Sequence, residues 1–293
     1  MIVYLYIQEI IGYGVLLVLY EKLQKEPWVK SIKIIRNLCG LDLEKDIIIP
    51  VDVISNKNLF DTFGNLYYEM LDDKIDFYNY LYWNESLLGN IRLIPFYDKS
   101  YHGKNKTQKF ILKHRKGQGS MNNKIVSQPI YSLIYDYDET HQIQEFIHAD
   151  KTIAVDGFCS HGNIQSLFYS IQKGPLFFKD YKNNGFSMEY STTFPNNEIE
   201  NFIKVLLDRI DYHGFFQFEF LLNKQQEIYI LECNPRISGH VFTQNYYSNV
   251  IIPYIFKLNN SLDVQGKDRF PPFWTQIPKI IGSIISSFFS CKQ

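Results

Sequence analysis

The stretch Gly214–Gly239, GFFQFEFLLNKQQEIYILECNPRISG, constrains this chain more than any other. Two apolar, aromatic and β-branched runs, Phe215–Leu222 and Ile228–Cys233, are parted by the polar run Asn223–Glu227, so the stretch reads as a β-hairpin. Strand side chains alternate between faces. Gln217 and Glu219 therefore share one face of the first strand, and Glu232 and Asn234 one face of the second. A turn centred between Gln225 and Gln226 sets Glu219 directly opposite Glu232, with Cβ atoms about 5 Å apart. Two carboxylates this close repel unless a cation lies between them or one keeps its proton. Asn234 adds a neutral oxygen, which completes a hard-oxygen set suited to Mg²⁺ holding phosphates. Pro235 ends the ladder, and Arg236 follows with a guanidinium able to grip an anion beside the metal. On the hairpin alone, two solvated glutamates on an exposed face are an equal reading.

The residues after the second glutamate separate the two. Glu232–Gly239, ECNPRISG, is similar to the signature of the ATP-grasp superfamily, in which a Glu-x-Asn-Pro-Arg segment binds Mg-ATP and substrate. Gly214, five residues before Glu219, resembles the branch of carbamoyl-phosphate synthetase and biotin carboxylase. The resemblance implies an α/β chain with two α+β lobes clasping ATP, preceded by a small Rossmann-like layer. Its boundaries are expected at 1–70 (compressed βαβ layer), 71–147 (first lobe), 148–260 (second lobe) and 261–293 (tail).

Upstream segments fit that pattern. Asp73-Lys74 resembles the pair that opens the first lobe, where the family's lysine reaches the nucleotide phosphates. Phe110–Lys113 reads as a strand delivering Lys113 to the loop Gly117-Gln-Gly119-Ser120. Glycine permits positive φ and lets backbone N–H groups close over phosphates. The family has Lys-Pro at this place; His114 and Met121-Asn122-Asn123 depart from it. Gln144-Glu145-Phe146-Ile147 is similar to the hinge whose backbone meets adenine, and Asp150 falls about one residue out of register for a ribose contact. Lys74, Lys113, Gly117, Gly119, Ser120, Gln144, Glu145, Phe146, Ile147 and Asp150 are thus the implied nucleotide residues. Glu219, Glu232 and Asn234 are the implied ligands of Mg²⁺ or Mn²⁺, with Arg236 and Lys113 catalytic.

Composition excludes other classes. A chain of 293 residues is long enough for a large buried core, and its net charge of −1 without a basic block gives no reason to expect nucleic acid. The four cysteines lack CxxC spacing, so neither a zinc site nor a disulfide framework is indicated, and a reducing, cytoplasmic compartment fits. Met1–Tyr20 is apolar, but Gln8 and Glu9 interrupt it and neither a basic leader nor a cleavage site frames it. It reads as strand 2–7, a Gly-containing turn and a helix from about Gly14 to Gln24, followed by strands 31–35 and 46–51. Strands Thr152–Cys159 and Ile164–Ile171 flank a hairpin turn, and 196–212 is an amphipathic helix with Ile199, Phe202, Ile203, Leu206, Leu207 and Ile210 on one stripe. Helix is expected over 241–257, and the apolar segment 280–289 is too short to span a membrane.

The resemblance implies an ATP-dependent carboxylate–amine or carboxylate–thiol ligase working through an acylphosphate. Its partners are small-molecule carboxylate and amine substrates, with no stable membrane insertion and a homodimer left open. An ATP-grasp kinase and a non-catalytic nucleotide binder are the alternatives.

Overall fold

The computed structural model describes residues 1–9, 13–43, 45–60, 67–116, 123–137, 139–173, 186–257 and 265–270. The segment 271–293, which includes the apolar tail, lies outside them, as does Gly12 of the first turn.

The chain opens with a small parallel layer. Strand β1 (Ile2–Tyr6), helix α1 (Tyr13–Leu23), β2 (Ser31–Ile35) and β3 (Ile47–Pro50) form a three-stranded sheet in the order β2-β1-β3. Helices α2 (Val53–Phe60), α3 (Tyr68–Asp72) and α4 (Lys74–Trp83) follow. After α4 come two short strands: β4 (Arg92–Leu93) runs parallel to the edge of one sheet, and β5 (Phe96–Tyr97) begins another.

That second sheet contains β5, β6 (Thr107–His114), β7 (Lys124–Pro129) and β8 (His141–Glu145), in the order β5-β8-β6-β7. Helix α5 (Ile130–Tyr137) covers its back, burying Ile130, Leu133 and Ile134 against Phe110, Leu112 and Ile143. Period-two alternation then turns Ile111, Lys113, Gln142 and Gln144 to the front face, where Ile111 pairs with Gln144 and Lys113 with Gln142.

The large sheet runs β14-β11-β10-β9-β12-β13-β4, from β9 (Ala149–Ser160), β10 (Asn163–Lys173), β11 (Phe186–Ser191), β12 (Gly214–Asn223), β13 (Ile228–Asn234) and β14 (Gln265–Phe270). Helix α6 (Asn197–Arg209) packs on its back. Its stripe of Ile199, Phe202, Ile203, Leu206 and Leu207 is buried as the periodicity predicts, each residue contributing on the order of 2 kcal/mol. Phe202 meets the rings of Phe218 and Phe220 with centroids 6.1 and 6.0 Å apart. Asn196 caps the helix by accepting from Ile199 N at 2.8 Å, and Glu198 and Glu200 lie in its first turn, where the dipole favours them.

The helix expected over 241–257 is broken. A 3₁₀ turn (Gly239–Phe242), α7 (Gln244–Tyr246), a π turn (Tyr247–Ile251) and α8 (Ile252–Phe256) take its place. Thr243 is extended and restarts the helix by capping Tyr246 N, and Pro253 has no N–H for the carbonyl four residues back, which favours the wider turn before it.

Candidate functional site

Two sheet faces and the start of one helix converge on the hairpin glutamates. Glu219 and Glu232 are register partners, as are Gln217 and Asn234 and Phe218 and Cys233. Toward the turn the pairing shifts to Phe220 with Ile230 and Leu222 with Ile228. The hairpin therefore closes one half-residue earlier than expected, at Gln225. A bulge that leaves Leu231 unpaired restores the expected register at the site. Gln226 supports the tight turn with φ of 64°. Pro235 ends the ladder.

The front face of β6 and the start of α4 carry the two lysines to this pair. Lys113, on the last full turn of the β6 pleat, is 2 % exposed, and its Nζ has no hydrogen-bond partner among the described residues. Lys74 is the first residue of α4, and its Nζ lies 3.7 Å from Glu232 Oε2. Asp73 caps that helix by accepting from Ile75 N and Asp76 N, which fixes where Lys74 begins.

Electrostatics bind these groups into one unit. Burial pulls the Lys113 ammonium down to about 8, against the opposing pull of Glu232 and with the help of Lys74. Burial and the Glu232 charge raise Glu219, while Lys113 and His240 draw it back. Glu232 is lowered: its burial would raise it, but Lys74, Lys113, the Asn234 amide and Arg236 together outweigh that. One carboxylate of the pair is thus held ionised and the other lifted, as expected of like charges in one site.

Asn234 donates from Nδ2 to Gln217 Oε1 and to Glu232 Oε1, both at 3.3 Å, and its Oδ1 accepts from Arg236 Nη2 at 3.4 Å. Arg236 also donates to Ile237 O at 3.2 Å, and its Nε is buried with no partner among the described residues. Among the described residues there is no cluster of three or more His, Cys, Asp or Glu able to hold a metal. Two carboxylates and an amide are a smaller set, and they fit an ion that takes its other ligands from phosphates and water.

At the hinge, Glu145 N and Phe146 N donate to Pro95 O and Lys109 O at 2.9 and 3.0 Å, so neither N–H is available to a base. Ile147 N has no protein acceptor among the described residues, and Ile147 O accepts from Ala149 N at 3.0 Å. The Glu145 carboxylate is taken by Tyr97 and Lys106. Gln144 is buried on the front face. Asp150 is the residue skipped where the β9–β12 register shifts between Leu222 and Asn223, and it lies at a bulge. Gly117, Gly119 and Ser120 lie outside the described residues.

Several site residues carried no motif. Arg115 grips Asp73. Asn56, on α2, donates from Nδ2 to Pro235 O at 2.7 Å and to Phe215 O at 3.2 Å. His240 and Asp156 form a buried pair on the same sheet face. Glu9 follows β1, and its carboxyl is raised by burial and then by Asp52 and Asp72, with Arg236 acting the other way. The signal for Glu9 was its place at the carboxyl end of a parallel strand, where open α/β sheets meet ligands.

The sequence matches the family model of the ATP-grasp domain over residues 78–240, more than half of the chain. Among solved structures, D-alanine–D-alanine ligase from Bacillus anthracis superposes with a TM-score of 0.54 at 11 % identity, covering 88 % of this chain and 97 % of that one. N5-carboxyaminoimidazole synthetase from Staphylococcus aureus, complexed with ADP, gives 0.53 at 11 % identity, over 89 % and 78 %. An L-amino acid ligase from Bacillus licheniformis gives 0.50 at 12 % identity, over 81 % and 67 %. No curated protein matches the sequence. No helix among the described residues is long and apolar enough to cross a membrane.

Proposed function

Since this chain belongs to the ATP-grasp family, we propose that it is an ADP-forming ligase that joins a carboxylate to an amine or thiol. The observation that carries this reading is Lys113: an ammonium buried without a hydrogen-bond partner among the described residues and under the opposing charges of two register-paired carboxylates. Such a charge is costly unless the site completes it, and a nucleotide phosphate is the group that both the lysines and a metal between the glutamates would accept. The similar folds of the two amino-acid ligases and of the synthetase bound to ADP agree with it.

In this reading Lys74 and Lys113, at the start of α4 and on β6 of the same lobe, hold the phosphates, and the Ile147 N–H meets the adenine edge. Glu219, Glu232 and the Asn234 oxygen would hold Mg²⁺ or Mn²⁺, which when bound neutralises charge on the phosphates. The amide oxygen has two lone pairs and can face the ion while accepting from Arg236 Nη2, and the remaining guanidinium N–H groups are left for the acid substrate. A substrate carboxylate attacks the γ-phosphate in line, and Arg236 steadies the anion while the acylphosphate forms. The nucleophile then displaces phosphate. No enzyme nucleophile is required, and the buried thiols suit none: burial pushes Cys159 up to about 12 and Cys233 higher than an ordinary thiol. A cytoplasmic location accords with this chemistry.

The test is calorimetry of Mg-ATP with the wild type and with Glu232→Ala, followed by ADP release from mixtures of acids and amines. Metal-dependent binding that the substitution abolishes, with ADP release requiring both an acid and an amine or thiol, is the expected result. ADP release with a hydroxyl acceptor alone would make the protein a kinase, and binding without turnover would make it a nucleotide binder.

A further inference from the structure

We infer that the buried pair Asp156–His240 is a positioning device that fastens the Arg236 turn to the middle of the large sheet. The inference rests on the anion-gripping role just proposed for Arg236. Two rows of register partners cross the front of the sheet. One runs Asn234, Gln217, Asp156 and Phe168, and the next runs Glu232, Glu219, Ala154 and Ser170. His240 reaches into both. Its Nδ1 lies 3.0 Å from Asp156 Oδ2, and its Nε2 lies 3.2 Å from Ser170 Oγ. Between those anchors Ala154 projects only a methyl group, which leaves room for the ring beside Glu219.

The pair is deeply buried, with Asp156 at 0 % and His240 at 6 % exposure. Burying a carboxylate is expensive, and this one stands outside the opposed glutamate pair, where its charge also pushes Glu219 up. What it gains is a fixed imidazole, four residues after Arg236. Ser238 completes the joint: its Oγ accepts from His240 N at 3.1 Å and lies 3.3 Å from Nδ1. The 3₁₀ turn Gly239–Phe242, which starts three residues after Arg236, is too short to set its own orientation. Its tie to Asp156 and Ser170, 84 and 70 residues away in sequence, fixes that orientation relative to Glu219 and Asn234.

The test uses the full chain and two probes, Mg-ADP alone and Mg-ADP with aluminium fluoride, which imitates the phosphoryl group in transfer. Asp156→Ala is expected to weaken the aluminium fluoride complex about tenfold or more while Mg-ADP affinity stays within about threefold. Asp156→Asn, whose amide oxygen still accepts from Nδ1–H, is expected to recover most of the loss. In an Arg236→Ala background, Asp156→Ala should add nothing further. His240→Gln replaces Asp156→Ala if thermal melting shows that variant unfolded. Equal loss with both probes, no loss, or full additivity with Arg236→Ala overturns the inference alone. So does a wild type that binds Mg-ADP and gains nothing from aluminium fluoride. A wild type that does not bind Mg-ADP overturns the nucleotide reading as well.

Discussion

Arg115 clamps Asp73. Its Nε lies 3.2 and 3.1 Å from the two carboxylate oxygens, and its Nη2 lies 3.1 Å from Asp73 Oδ2 and 3.2 Å from Asp76 Oδ1. Lys74 N donates to Arg115 O at 3.1 Å, and Gln142 Nε2 donates to Lys74 O at 3.0 Å. Arg115 follows Lys113 by two residues and Asp73 precedes Lys74 by one. The clamp therefore sets the separation of the two site lysines.

Arg115→Ala is expected to cost about 1–2 kcal/mol of stability in urea unfolding, since the pair is charge-assisted but Arg115 is partly solvated. It should also weaken Mg-ATP about tenfold by loosening Lys74. Arg115→Lys should recover little, because one ammonium cannot fork between Asp73 and Asp76. Full recovery by lysine would show that charge alone, not the clamp, matters.

The Lys113 ammonium, drawn down to about 8 from 10.5, makes two pH predictions. Between those values the unfolded chain holds a proton that the folded chain has released, so this lysine's contribution to stability rises with pH across that window. Lys113→Met should therefore be more stable than the wild type in the absence of nucleotide at about pH 7, with the advantage shrinking by about pH 10. Mg-ATP affinity of the wild type should fall above about pH 8 as the ammonium is lost. Urea unfolding at both pH values and calorimetry across the range decide it; a pH-independent gap between the two proteins would refute the assignment.

What could be read from the chain was local. ECNPRISG is contiguous, and the facing of Glu219 and Glu232 follows from a period of two and a short turn. The α6 stripe repeats at helical spacing. Packing decided the rest. The bulge at Leu231 shifts the register by one without any sequence mark. Asp73–Arg115, Asp156–His240 and Asn56–Phe215 join residues 42, 84 and 159 positions apart, and no periodicity links such distances. The break in the helix expected over 241–257 turns on one threonine cap and one proline, each of which an amphipathic pattern tolerates on inspection.

Gly214 opens β12 with φ of 143°, and a Cβ there would stand 2.0 Å from Tyr68 Oη and 3.1 Å from a Phe60 ring carbon. Tyr68 Oη donates to His213 O at 2.5 Å and cannot withdraw without losing that bond. Gly214→Ala is therefore expected to cost about 3 kcal/mol or more, from backbone strain and overpacking together. Thermal melting of the variant measures it; a loss under about 1 kcal/mol would mean that α3 gives way freely.

Glu219 supplies the last prediction. Its carboxyl is raised above the usual 4.5 by burial and by Glu232, so between that value and its own pKa the folded protein holds a proton that the unfolded chain has given up. The sign follows: stability from this group is present at low pH and lost as pH rises through the folded pKa. Without metal, the wild type should lose stability relative to Glu219→Gln between about pH 5 and pH 8, since glutamine removes the repulsion and keeps the volume. Mg²⁺ binds only the folded site, so it should restore wild-type stability at the upper end in proportion to the logarithm of its concentration over its Kd. It should do little for Glu219→Gln, in which one of the two charges that would hold it is gone. Thermal melts of both proteins with Mg²⁺ and with chelator, at each pH, are the measurement. If Mg²⁺ stabilises both equally, the opposed glutamates are not its site.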